Sequence, residues 1–175
     1  MELLAGCGSR RDKDLALPGR ETWTQLVTLD HSARHNPDVV WDLNCRPLPF
    51  QDNYFDELHF YEVLEHIGRL GDAEGIMAEF TEYWRILKPG GHLFATTPGW
   101  KGVWTFGDPS HVRVINDGTL SFFSQAEYQK QVGVTPMSDF RDFYHADFDV
   151  LSSTYDGPDK FCFVLKAVKP SRFAG

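Results

Sequence analysis

Long apolar runs are missing from this chain of 175 residues. No stretch approaches the roughly 20 consecutive apolar residues that a membrane-spanning helix requires. Glu2 stands where a secretory leader would carry positive charge ahead of an apolar block. Basic residues are in deficit as well: 17 Lys and Arg face 25 Asp and Glu, a formal charge of -8. A non-specific grip on nucleic acid works by releasing counterions from a basic surface, so this balance argues against it. A local cluster such as Arg10, Arg11 and Lys13 still suits a small anion. Cysteine is scarce. Cys7, Cys45 and Cys162 form no C-x-x-C pair, which argues against a disulfide framework or a zinc knuckle and favours three small buried apolar residues. No metal-ligating set is read. These absences describe a soluble protein of the cytoplasm.

What is present is enough apolar material for one core: 42% hydrophobic and 14% aromatic side chains, read as one domain over residues 1–175. Short apolar runs alternate with longer polar or amphipathic stretches, the pattern of an α/β sheet with crossover helices. The expected strands are 2–5, 25–30, 38–43, 55–61 and 91–98. A helix is predicted after Asp72, with Ile76, Met77, Phe80, Tyr83, Trp84 and Leu87 on its buried side and Glu79, Glu82 and Arg85 in water; Pro89-Gly90-Gly91 ends it. A further helix is expected from Asp117 or Thr119 to Gly133, followed by two strands around the turn Asp156-Gly157-Pro158-Asp159.

The first strand breaks at once into Gly6-Cys7-Gly8. Glycines there let the backbone approach a ligand, and open α/β sheets bind ligands at this edge. The dinucleotide fingerprint is incomplete because Arg11 occupies its third glycine position. The second strand ends in Asp30, 22 residues after Gly8, where a carboxylate can accept from both ribose hydroxyls. The third ends in Asp42-Leu43, which offers an acceptor for an adenine amine beside an apolar edge. Two acids at successive strand ends behind a glycine turn describe a nucleoside pocket.

The ordered segments LLAGCGS, LPG, VTLD, WDLNCRPLPFQDNYFDELHFYEVLEHI and EYWRILKPGGHLFATTP resemble the class I S-adenosylmethionine-dependent methyltransferases over roughly residues 2–98. The resemblance implies a Rossmann-like α/β fold: a seven-stranded, mostly parallel sheet with helices on both faces and a C-terminal antiparallel hairpin. It also implies S-adenosyl-L-methionine as cofactor. Gly6, Cys7 and Gly8 would approach its methionine and ribose, Asp30 its ribose hydroxyls, and Asp42 with Leu43 its adenine. His59, Tyr61 and Glu62 would lie near the sulfonium, with Glu65 and His66 as helix-start and packing residues. Two positions depart from the family pattern: Leu4 stands where an acid is common, and Arg10 replaces the third glycine of GCGxG. The helix that usually precedes the first strand is also expected to be lacking.

Methyl transfer is an in-line displacement in which the protein supplies orientation and, where the acceptor must lose a proton, a base. GDPSHVRV places Asp108, His111 and Arg113 beyond the fifth strand. His111 suits the base because an imidazole titrates near neutral pH. Asp108 would orient it and Arg113 would bind an anionic substrate group. The bland alternative is a turn capped by Asp108 with Arg113 in a structural ion pair. Trp100 and Trp104 can stack on a substrate or form the core of a lid. The acceptor is then a small molecule or a unit presented by a polymer, methylated on O or N. Two other functions stay open: a non-catalytic cofactor-binding or scaffold subunit, and a nicotinamide-dependent oxidoreductase. A homo-oligomer or a partner subunit fits either of the first two.

Overall fold

The computed structural model describes residues 1–173. Five strands run parallel: β1 (Glu2–Ala5), β2 (Leu26–Asp30), β3 (Val39–Val40), β4 (Phe55–Tyr61) and β5 (Leu87–Pro98). The hairpin of β6 (Phe148–Asp156) and β7 (Lys160–Ala167) joins them antiparallel through β7. The spatial order β3-β2-β1-β4-β5-β7-β6 makes one seven-stranded sheet, the mixed Rossmann-like α/β architecture expected. Strand β3 is shorter than its apolar run suggested, so Asp42 and Leu43 fall in the turn that follows it.

One long helix, α1 (Ala73–Ile86), connects β4 to β5. Asp72 caps it by accepting from the Gly75 amide at 2.9 Å. Met77, Phe80, Tyr83 and Ile86 recur at helical spacing and are buried. Burying a large apolar side chain contributes about 1.5–3 kcal/mol, so this stripe anchors the helix to the sheet. The ring of Tyr83 lies 4.6 Å from that of Phe60 on β4, and Phe80 stacks on Phe123 at 3.7 Å. Glu79 does not meet water as its position suggested. Arg113 reaches it from beyond β5, and Nη1 and Nη2 each donate to its carboxylate at 2.7 Å.

The region after β5 is more broken than its sequence implied. It holds α2 (Trp104–Gly107), α3 (Asp117–Ser121) and α4 (Gln125–Gln131). Asn116 opens α3 with a reciprocal capping box, and the segment 122–124 interrupts what was expected as one helix. Phe123 turns into the core there and stacks on Phe80, which accounts for the break.

Glu57, His59 and Tyr61 alternate with Leu58 and Phe60 along β4, so they share the face away from α1. Over β1 and β4 this face is covered by the segment 10–24, which carries no regular helix. Lys13 fastens it: the ammonium, on a side chain only 2% exposed, lies 2.9 Å from Glu2 and 2.7 Å from Glu57. Trp23 packs edge-on against His59 at 4.8 Å and donates its indole N–H to the Arg11 carbonyl at 2.6 Å. Glu57 also meets Arg20 at 3.0 Å. Burial alone would raise the Glu57 carboxyl, but hydrogen bonds with His59, Lys13 and Arg20 outweigh it and hold the group well below the usual range. Burial dominates for His59 and lowers its basicity, leaving it neutral between Glu57 at 3.1 Å and the Tyr61 hydroxyl at 2.7 Å.

Removing one partner of a buried ion pair typically costs about 3–5 kcal/mol, because the other charge is left uncompensated. Lys13→Met is expected to lose stability on that scale in urea denaturation. Both His59 and Glu57 bind protons less readily folded than unfolded, so acid destabilises the native state. Stability should begin to fall below about 6.5, where unfolded His59 takes up a proton, and fall further below about 4.3, where unfolded Glu57 does. Urea midpoints across that range, with Glu57→Gln for comparison, check the slope; an equal slope in the variant would refute the assignment.

Candidate active site

At the carboxyl edge of the sheet the chain leaves β1 through Gly6 at φ 62° and Gly8 at φ 49°, both left-handed. A Cβ on Gly6 would sit 2.5 Å from Cγ2 of Val63, so the close approach at this glycine is to protein. Around Gly8 the corresponding space is open, with nothing within 4 Å. Cys7 donates its amide to the Leu29 carbonyl at 3.1 Å, and Gly8 donates to Asp30 Oδ2 at 2.9 Å. Burial raises the Cys7 thiol, which keeps it protonated and unreactive at neutral pH.

Beside this turn lies a cavity of about 440 Å³. Leu29, Leu43, Val63 and Ile67 line it with apolar surface, Trp41 adds an aromatic wall, and Asp30, Asp42, Asn44 and Glu62 supply oxygen. Asp30 is buried and accepts from Gly8 through one oxygen and from the Ser32 amide, at 2.8 Å, through the other. Each carboxylate oxygen has a second lone pair, which suits paired hydroxyl donors. Asp42 is exposed and accepts from the Asn44 amide at 2.8 Å and its side-chain nitrogen at 3.1 Å. Glu62 takes φ 55°, a strained conformation for a non-glycine residue, at the end of β4 facing this cavity.

A second hollow of about 290 Å³ shares Gly6 with the first. Cys7, Gly8, Arg10, Asp12 and Tyr61 line it together with Leu4. The Tyr61 hydroxyl is held by the Leu15 amide at 3.1 Å, and burial raises its ionisation far above the ordinary value. Glu2 cannot replace the acid missing at Leu4, since it is bound to Lys13 and Thr24 at the opposite end of β1. Asp12 is the acid that reaches this hollow, in an ion pair with Arg10 at 3.1 Å. Among the residues expected near the reacting centre, Tyr61 and Glu62 line the two cavities, whereas His59 is fully buried below them.

The acceptor side differs more from expectation. The Arg113 guanidinium is not available to a substrate anion: Nε donates to the Leu64 carbonyl at 2.8 Å and the two terminal nitrogens to Glu79. Asp108 does not orient His111 through a hydrogen bond, since its Oδ2 is 3.8 Å from Nε2 and its Oδ1 accepts from the Ser110 amide. Those Ser110 hydrogen bonds hold the Asp108 carboxyl below its usual range. His111 stands behind His66, with ring centroids 4.8 Å apart, and His66 is the one that lines the cavity. Trp100 and Trp104 are exposed and lie outside the cavity lining. Glu65 and His66 sit in a single 3-10 turn, Leu64–His66. Burial pushes the Glu65 carboxyl up to about 8. His31, Trp41, Asn44 and His66 join the cavity without having been singled out for it, because no strand-end or glycine signal marks them.

The methyltransferase-domain family model matches residues 5–95, just over half of the chain, and the chain belongs to that family. No curated protein is similar to it in sequence. Solved structures share its fold at low identity. A methyltransferase from Archaeoglobus fulgidus, described as dependent on S-adenosylmethionine, is 14% identical with a TM-score of 0.56, over 94% of this chain and 85% of that one. The N-methyltransferase NodS from Bradyrhizobium japonicum, in complex with S-adenosylhomocysteine, is 12% identical with a TM-score of 0.55, over 95% and 76%. A Haloferax volcanii protein described as the methyltransferase partner in a complex with the Trm112 activator is 19% identical with a TM-score of 0.54, over 99% and 83%.

Gly6→Ala combines a left-handed backbone with a Cβ driven into Val63. Overpacking of this kind typically costs about 1–3 kcal/mol. The variant is expected to show a lowered urea midpoint together with weakened nucleoside binding, whereas Gly8→Ala, strained but unopposed by a neighbour, should keep more of its stability.

Proposed function

We propose that this chain transfers a methyl group from S-adenosyl-L-methionine to an oxygen or nitrogen of a small molecule or of a modified polymer unit. The observation that carries this reading is the pair of cavities that share Gly6, one with apolar walls, Asp30 at the end of β2 and Asp42 in the turn after β3, the other lined by the glycine turn with Arg10, Asp12 and Tyr61. Family membership supports it. The residues fit the cofactor: open space beside Gly8, spare lone pairs on Asp30, and Asp42 with Leu43 at the far wall.

In this reading Asp30 accepts from the ribose hydroxyls, and Asp42 and Leu43 frame the adenine against Trp41. Gly6, Cys7 and Gly8 present backbone to the cofactor. Arg10 and Asp12, adjacent and of opposite charge, answer the carboxylate and ammonium of its methionine end, which offsets the loss of an acid at Leu4. When bound, the cofactor supplies a methyl on a good leaving group. The protein's part is to orient the acceptor along the carbon–sulfur axis and to manage its proton. That second task falls to the cluster of Glu65, His66 and His111, of which His66 meets the cavity. Asp108 supports the cluster from behind, and Trp100 and Trp104 meet only those parts of an acceptor that extend past the cavity.

A second reading, a methyltransferase-fold subunit that works with a partner protein, is favoured by the exposure of Trp100, Val103, Trp104 and Phe106 on one short segment. The Haloferax volcanii protein bound to an activator provides a parallel for such an arrangement. Among the described residues no helix is long and apolar enough to cross a membrane. With its three cysteines free, the chain fits the reducing cytoplasm.

Calorimetric titration with S-adenosylmethionine, S-adenosylhomocysteine and NAD tests the cofactor. Both sulfur nucleosides should bind, NAD should not, and Asp30→Ala should weaken binding at least tenfold. Unchanged affinity in that variant would remove the pocket assigned here. Methyl release to an acceptor panel then separates the readings: binding without turnover on any acceptor, with or without a partner, would favour the scaffold subunit.

A further inference from the structure

We propose that Glu65, His66 and His111 form a binding site for a divalent transition-metal cation on the acceptor side of the cavity. Each residue offers one ligand atom, and the three atoms lie within 4.8 Å of one another. Two of the side chains are more than nine-tenths buried, Glu65 at 2% exposure and the His111 ring at 7%. Among the described residues, Glu65 Oε2 and His111 Nδ1 have no hydrogen-bond partner. Buried polar atoms are rarely left so, and a cation would satisfy both at once.

The surroundings set the two imidazoles up as ligands. His66 Nδ1 lies 3.3 Å from the Ser110 carbonyl, so it carries the proton and Nε2, 3.9 Å from Glu65 Oε1, is free to ligate. In His111 the buried, unpartnered nitrogen is Nδ1, while Nε2 lies 3.8 Å from Asp108 Oδ2, beyond hydrogen-bond distance. The Val112 amide donates to the Glu65 carbonyl at 2.9 Å and pins the loop that carries His111 against the turn that carries the other two. Arg113, the cation nearest in sequence, is neutralised by Glu79. Tetrahedral ligands on bonds of about 2.1 Å stand roughly 3.4 Å apart, so the three atoms, now within 4.8 Å of one another, draw closer on binding. Two imidazoles and one carboxylate suit Zn²⁺, Co²⁺ or Mn²⁺ better than Mg²⁺ or Ca²⁺, which prefer all-oxygen shells.

Three protein ligands leave coordination positions open, and one of the three residues, His66, lines the cavity. Resting on the methyl-transfer reading, this makes the acceptor a hydroxyl. With the cation bound the three side chains serve as ligands and not as the base, so the O–H proton leaves to solvent, the oxygen bonds the methyl carbon as the carbon–sulfur bond breaks, and the electron pair departs with neutral S-adenosylhomocysteine.

The test uses the full chain stripped by chelator, titrated with Co²⁺ followed by visible absorption, and with Zn²⁺ and Mg²⁺ by calorimetry. One equivalent of Co²⁺ should bind with d–d bands of an imidazole–carboxylate site, more tightly than Mg²⁺. Glu65→Gln and His111→Ala should each weaken it at least tenfold while keeping the native circular dichroism, His66→Asn serving if either misfolds; His35→Ala should not change it. No uptake, uptake unaltered in Glu65→Gln, or preference for Mg²⁺ would overturn the site. S-adenosylhomocysteine is titrated into the same stripped samples. Its binding without Co²⁺ uptake removes the metal site alone, and Co²⁺ uptake without its binding removes the methyl-transfer reading alone.

Discussion

The Lys13 ammonium, closed between Glu2 on β1 and Glu57 on β4, is the contact on which the half of this molecule around the candidate site depends. The segment 10–24 follows the glycine turn and has no regular hydrogen-bonded structure of its own to hold its course. A buried charge tolerates little displacement, because attraction in a low-dielectric interior offsets desolvation only when the geometry is good. Lys13 therefore acts as a pin. After it in the chain, Leu15 is tied to Tyr61 and Trp23 packs on His59, so the segment lies over the polar face of β4.

From that pin the site follows by contact. The turn at Gly6 rests on Val63, and Val63 adjoins Glu62, whose backbone is held in the left-handed region. The next turn, Leu64–His66, carries the buried Glu65 and the cavity-facing His66. Glu62, with its left-handed backbone, and Glu65, with an unpartnered buried oxygen, thus lie within four residues after β4. Of the four buried side-chain atoms without a partner among the described residues, two belong to Glu65 and His111. A fold tolerates such features where another group is to be bound, and here both atoms belong to side chains clustered with His66, which lines the cavity.

Much of the framework was legible before folding was considered. The strands at 2–5 and 55–61 and the helix capped by Asp72 appear where periodicity and capping put them. Gly6, Gly8 and Asp30 converge as the glycine turn and strand end implied, with Asp30 bonded directly to Gly8. The region after β5 is less legible. Phe122 and Phe123 continue a helical pattern, yet Phe123 goes to the core under α1 and breaks the helix. Arg113 looked like a substrate ligand because its partner, Glu79, lies 34 residues away on a helix face that periodicity assigned to solvent. His66 resembled a packing residue because its neighbour, His111, is equally remote in sequence.

Local order was therefore determined by the sequence itself: which segments are strands, where the main helix begins, and which turn must be glycine. These rest on interactions between residues a few positions apart, so periodicity, capping and backbone sterics suffice to read them. The tertiary structure decided which charges meet. Lys13 with Glu57, Arg113 with Glu79, and Glu65 and His66 with His111 are pairings across strands and loops. Their energies depend on burial and on distances of a few ångströms, which exist only once the chain has folded back on itself.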